Sequence, residues 1–165
     1  MVLRPVRLDE FEAVWRGRQH LDPSVQPVMP DREALRRRME ASGHLMDRTL
    51  DLGIEAEGRL VGQIQTYVPP TERGLPPGVF EVGIGLDSES VRGKGYGTEA
   101  VRLLVRWLFE QAGAVRVQAP TVPSNVAMRR VFDKVGFRPE GMFREFDRDF
   151  TMFALTARSD LLDER

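Results

Sequence analysis

The chain has 165 residues, with 24 basic and 25 acidic side chains, a formal net charge of -1 at pH 7 and no cysteine. That length suits one domain with a core large enough to need no staples, and residues 1–165 read as one. The balanced charge gives no reason to expect nucleic-acid binding, and the missing cysteines exclude disulfides, a cysteine nucleophile and thiolate metal sites. No stretch reaches the length of a membrane span, and the start Met1-Val2-Leu3-Arg4-Pro5 lacks the apolar core of a signal peptide, so a cytoplasmic protein without membrane partners is expected.

In chain order, Leu3 to Leu8 reads as a short strand, and Asp9 with Glu12 three residues on reads as a capping box opening a helix that carries Phe11, Val14 and Trp15. Prolines 23, 27 and 30 make residues 21–30 a loop. A second helix is expected from Asp31, with Leu35 and Met39 on its apolar face and Arg32, Arg36, Arg37 and Arg38 on a basic one. That basic face reads first as solvated, with docking of an acidic substrate or partner as the alternative. Leu50, Leu52, Ile54 and Ala56 alternate with polar residues or glycine as in a half-buried strand. Glu57-Gly58-Arg59 then turns the chain into a second strand, Leu60 to Val68. Residues 69–78, with four prolines and two glycines, form an irregular loop.

The next strand sets Phe80, Val82, Ile84 and Leu86 on one face and Glu81, Gly83 and Gly85 on the other. A face made of one carboxylate and two absent side chains packs poorly but suits the close approach of a ligand. Arg92-Gly93-Lys94-Gly95-Tyr96-Gly97-Thr98 follows, a glycine loop opening a helix to about Ala112. Its bare amides and the positive end of the helix dipole make an anion cradle. From Glu99 to Glu110 only positions 99, 102, 106 and 110 are polar, so the helix is expected to be embedded over most of its circumference, Trp107 included. Gly113 ends it, and Val115, Val117 and Ala119 alternate as a strand that Pro120 to Pro123 interrupts. Ser124 or Asn125 then caps a helix with buried positions at Ala127, Met128, Val131, Phe132 and Val135. Gly136 closes that helix, and two last strands form a hairpin turning near Asp147-Arg148-Asp149.

The spacing in the cradle selects among phosphate binders. A dinucleotide fingerprint needs a sixth-position glycine where Thr98 stands, and an ATP or GTP loop needs a Gly-Lys-Ser/Thr that is absent. The pattern Arg/Gln-x-x-Gly-x-Gly/Ala is met by Arg92, Gly95 and Gly97, running on into Thr98-Glu99-Ala100. Here the sequence resembles the GCN5-related N-acetyltransferase (GNAT) family, in particular its ribosomal-protein N-terminal and small-amine acetyltransferase branch. Glu81-Val82-Gly83, Asn125 with Ala127, Gly136-Phe137, Glu140-Gly141 with Arg144, and Asp149 before Met152-Phe153-Ala154-Leu155 extend the resemblance in order.

The resemblance implies an α/β (α+β) fold: a mixed, mostly antiparallel sheet splayed after its fourth strand and flanked by helices. It implies acetyl-CoA as co-substrate and direct acetyl transfer to a primary amine, either a protein N-terminus or a small molecule, with no metal and with a homodimer as a plausible assembly. The pyrophosphate would lie on the amides of Arg92, Gly93, Lys94, Gly95, Tyr96, Gly97 and Thr98. Glu81 would be the catalytic base, the amides of Gly85 and Leu86 would polarise the carbonyl, and Asn125 would hold the cofactor arm or a water, capping its helix as the alternative. Two departures stand out: Phe132 occupies a position where many members carry a proton-donating tyrosine, and the link from Leu86 to Gly93 is about one residue longer than is usual in this branch. Tyr67 and Tyr96 are the other hydroxyls. His20 and His44 have no metal-ligand spacing, and Glu140, Glu145, Asp147 and Asp149 read as a solvated hairpin, Asp149 excepted by its family match. A non-catalytic acyl-CoA sensor is the alternative of another class, and a nucleotide-binding module the third.

Overall fold

The computed structural model describes residues 1–19, 31–69 and 74–157. The expected loop at 21–30, part of the one at 69–78, and His20 lie outside the described residues. The elements are β1 (Val2–Arg4), α1 (Phe11–Gln19), α2 (Arg32–Glu40), β2 (Leu50–Ala56), β3 (Arg59–Tyr67), β4 (Val79–Leu86), α3 (Tyr96–Gln111), β5 (Arg116–Thr121), α4 (Val126–Val135), β6 (Arg138–Glu145) and β7 (Arg148–Thr156). They build a seven-stranded sheet in the order β1-β2-β3-β4-β5-β7-β6, antiparallel except for the β4–β5 pair. This is the mixed, mostly antiparallel fold expected.

The main core lies between the sheet and α3 and α4, where Val101, Leu104, Leu108 and Phe132 meet Ile54, Ile64, Val82 and Val117. A smaller core joins α1 to α2 through Phe11, Val14, Leu35 and Met39. Helix α3 is less embedded than its composition suggests: Trp107 is 38% exposed, because one helix face is enough to cover this sheet. Ala127 is likewise exposed on α4, and Val115 lies outside β5 with its side chain in solvent.

The start of the chain folds differently from expectation. β1 stops at Arg4, and a 3-10 turn, Leu8–Glu10, precedes α1. The side chain that reaches back to accept an amide is Glu10, from Arg7 N–H at 2.9 Å, whereas Glu12 pairs with Arg32 of α2. Glu10 also takes both ends of the Arg4 guanidinium, at 2.7 and 2.9 Å, and this hydrogen bonding holds its carboxyl below the usual range. A depressed folded-state pKa gives stability that is complete above the unfolded value and is lost as pH falls through the folded one. Glu10→Gln is therefore expected to melt below the wild type at pH 7, with the two thermal unfolding curves converging as pH falls below the ordinary carboxylate range.

Most of the basic face of α2 is engaged within the protein. Arg32 and Arg36 stack on Phe11, and Arg37 pairs with Glu33. Asp31 caps the helix through Ala34 N–H, as its sequence position predicts.

Candidate active site

Strands β4 and β5 run together only over Val79–Glu81 and Arg116–Gln118. Beyond this, β4 stays paired to β3 as far as Leu86 and β5 to β7 as far as Thr121, so the sheet opens into a wedge. The strand expected to break at Pro120 continues through it. Ala157 N–H bonds Val115 O, which assigns odd-numbered β5 residues to β7 and turns the donorless nitrogen of Pro120 toward the wedge, where there is no strand to bond.

The same alternation decides which amides of β4 are offered. Asp87 N–H donates to Val61 O at 3.0 Å and the β3–β4 register is unbroken, so Glu81, Gly83 and Gly85 spend their amides on β3. Ile84 and Leu86 point theirs into the wedge. The expected pair Gly85 and Leu86 is thereby corrected to Ile84 and Leu86, because successive amides of a strand point opposite ways. Gly83 and Gly85 instead line the cavity as the bare floor their sequence suggests.

At the mouth of the wedge α3 begins at Tyr96, within the glycine loop itself. The amides of Tyr96, Gly97 and Thr98 are thus its first turn, and the first intrahelical bond is Glu99 N–H to Gly95 O at 3.1 Å. Gly93 and Gly95 hold φ of 75° and 87°, and a Cβ on either would meet nothing within 4 Å. No packing inside the protein demands glycine there; the left-handed turn does, and it leaves open space in front of the loop. Arg92 and Lys94 stand exposed on the rim. The Tyr96 hydroxyl points elsewhere, donating to Glu57 Oε1 at 2.8 Å and holding that carboxyl below its usual range.

Glu81 sits at the apex of the wedge, fully buried. It pairs in register with Gln118, whose Nε2 donates to Glu81 Oε2 at 2.8 Å. Gln118 Oε1 accepts from Arg116 Nε at 3.1 Å, and Arg116 grips Glu140 through both terminal nitrogens. This chain fixes the orientation of the Gln118 amide and hence the donor presented to Glu81. Sequence reading missed it, because Gln118 and Arg116 register there only as the polar half of an alternation; the parallel pairing with Glu81 is what gives Gln118 its place.

A cavity of about 340 Å³ runs along the face of β3 and β4 that carries Gln63, Gln65, Tyr67 and Glu81. Asn125 and Phe132 line it from α4, and Glu145 and Phe146 from the β6–β7 hairpin. The Asn125 side chain accepts from Met128 N–H at 3.1 Å and so caps α4 while standing on the cavity. Phe132 is wedged between Phe137 and Phe153, with ring centroids 5.2 and 5.1 Å away, and offers no proton. Of the two remaining hydroxyls, Tyr67 lies on the cavity, in register with Glu81. Asp149 points away, pairing across the hairpin with Arg144.

The opposite wall holds two arginines that the sequence reading left out of the site. Arg38 pairs with Asp51 at 2.5 Å and reaches Gln65 at 2.6 Å, and Arg18 reaches Gln63 at 2.7 Å. A signal for Arg18 exists: it follows Phe11 and Val14 at helical spacing and so falls on the buried face of α1.

The family model described as acetyltransferase (GNAT) domain matches residues 1–138, and the chain belongs to this family. It is 36% identical over 90 residues to a probable N-acetyltransferase, YjcK, of Bacillus subtilis, covering 54% of this chain and 48% of that protein. It is 34% identical over 90 residues to the aminoglycoside N(6')-acetyltransferase type 1 of Klebsiella pneumoniae, covering 51% and 45%. The chain thus spans about half the length of these curated relatives. Among solved structures, Mycobacterium smegmatis RimJ in complex with CoA-disulfide superposes with a TM-score of 0.74 at 26% identity, over 96% of this chain and 82% of that one. The aminoglycoside acetyltransferase AAC(6')-Ib in complex with coenzyme A shares the fold, with a TM-score of 0.77 at 23% identity over 99% of both chains.

Proposed function

We propose that residues 1–165 form one N-acetyltransferase domain that transfers an acetyl group from acetyl-CoA directly to a primary amine, in the cytoplasm. The observation that carries this reading is the alignment of three parts along one wedge: the amide cradle at its mouth, the free amides of β4 along its side and Glu81 at its apex. Acetyl-CoA supplies the activated thioester. The cradle at Gly93 to Thr98, flanked by Arg92 and Lys94, holds the pyrophosphate. The amides of Ile84 and Leu86 receive the pantetheine and the thioester carbonyl, with preorganised donors where negative charge develops, and Asn125 borders the arm.

The amine nitrogen bonds to the carbonyl carbon, the carbon–sulfur bond breaks and one proton leaves the amine. At pH 7 freeing an α-amine of its proton costs only about 1 kcal/mol, against about 4 to 5 kcal/mol for a lysine amine. Glu81 accepts that proton. Being fully buried it does so through a bridging water. The thiolate leaves as an anion for about 2 kcal/mol, so the lack of a donor at Phe132 is tolerated. The acceptor is a protein N-terminus or a small amine; a relative named for aminoglycosides supports the small amine. The same absent donor favours the second reading, a domain that binds acyl-CoA without turnover.

Calorimetry with acetyl-CoA, ATP and NAD, followed by thiol release against peptides and amines, tests the reading. Selective acetyl-CoA binding with turnover is expected; binding without turnover supports the sensor, and no binding overturns both. Gly95→Val, which forces a branched side chain to positive φ in front of the cradle, is expected to weaken acetyl-CoA binding by at least about tenfold without loss of fold by circular dichroism.

A further inference from the structure

Arg18 is 6% exposed, yet it forms no ion pair with any described residue, whereas Arg4, Arg32 and Arg38 each do. Its one hydrogen bond goes to the neutral amide oxygen of Gln63, and its Nε is buried with no acceptor among the described residues. Burial pushes its pKa down, helped by Arg38 and resisted by Asp51 and Asp87, but only to about 10, so it stays charged at neutral pH. Asp51 is committed to Arg38, and Asp87, whose carboxyl burial pushes up, lies against Gly17. A desolvated guanidinium held by a neutral partner is costly, and a planar anion entering the cavity would offset that cost through paired hydrogen bonds.

The position of this cation fixes what kind of molecule reaches it. Gln63 lies opposite Gly85, and Tyr67 opposite Glu81, on the same face of the same two strands. Four residue steps along the strand separate the two ends, about 13 Å along the backbone. The reach of the arginine shortens that span to the length of a peptide of two or three residues. We propose that the acceptor is an amine whose far end carries a carboxylate, and that Arg18 binds that carboxylate while the nitrogen lies beside Glu81. The proposal rests on the acetyltransfer reading above and names its substrate class. Two sources share this chemistry: a protein N-terminus with an acidic residue at its second or third position, and a free short peptide ending in its own carboxylate. A polycationic amine would bring like charges to Arg18 and Arg38.

The test compares thiol release from acetyl-CoA with Ala-Ala-Glu amide, Ala-Ala-Gln amide, Ala-Ala-Lys amide and Ala-Ala-Ala free acid. The glutamate peptide or the free acid is expected to exceed the glutamine peptide by about 10- to 100-fold in kcat/KM, with the lysine peptide lowest. Preference for the glutamate amide identifies the N-terminus as source, and preference for the free acid alone identifies the short peptide. Arg18→Gln is expected to erase the preference while acetyl-CoA affinity is kept. Gln63→Glu, which places a carboxylate within the protein beside Arg18, is expected to erase it too while raising the melting temperature, and it guards against a folding defect in the first variant. Equal kcat/KM for acidic and neutral peptides, or a preference that survives both substitutions, overturns the proposal. If acetyl-CoA binds and no peptide turns over, the acetyltransfer reading is what fails on this panel. Calorimetry of the CoA complex with the acidic and neutral peptides then decides the anion site, where equal affinities overturn it.

Discussion

Glu81→Gln is expected to lower kcat/KM at pH 7 by about 10²- to 10³-fold while leaving acetyl-CoA affinity within about twofold. The substitution keeps the shape of the side chain and an oxygen for Gln118 Nε2 to donate to, so the apex of the wedge stays packed. What it removes is the carboxylate proposed to accept the amine proton. The cradle and the amides of Ile84 and Leu86 lie along the wedge away from this residue, so binding of the co-substrate is separable from its loss. With an α-amine acceptor, whose pKa is about 8, the deficit should shrink as pH rises and solvent frees the amine. A variant as fast as the wild type at every pH would remove Glu81 from proton transfer.

Phe132→Ala is expected to cost about 3 to 5 kcal/mol, a fall in melting temperature of roughly 10 °C for a chain of this size. Phe132 is 2% exposed and packs against two other rings, tilted to both, at the junction of α4, β7 and the turn into β6. Trp107→Ala is the control. Its larger ring looks just as embedded from composition, but its position on the outward side of α3 should limit the loss to about 1 kcal/mol. Equal losses at the two positions would mean that the packing of α3 on the sheet is misplaced.

The element order, the glycine loop and the bare floor of β4 are legible in the residues alone, because each depends on local signals. Positive φ at Gly93 and Gly95 needs glycine, Asn125 and Asp31 cap the helices they precede, and period-two alternation marks Glu81, Gly83 and Gly85 as one face. Local signals also misled where burial depends on what lies opposite. Trp107, Ala127 and Val115 are exposed because the sheet they were expected to cover ends or is already covered, and Pro120 is tolerated because β4 has parted from β5.

Which groups converge depends on pairing between distant elements. The parity of the β3–β4 ladder turns Ile84 and Leu86, not Gly85, toward the wedge, and parallel pairing sets Gln118 against Glu81 from 37 residues away. Folding of α1 over the same face brings Arg18 to Gln63, a contact across 45 residues. A strand's periodicity states which side chains share a face but not which strand lies beside it, so the chemistry of this cavity was fixed by pairing that no local pattern contains.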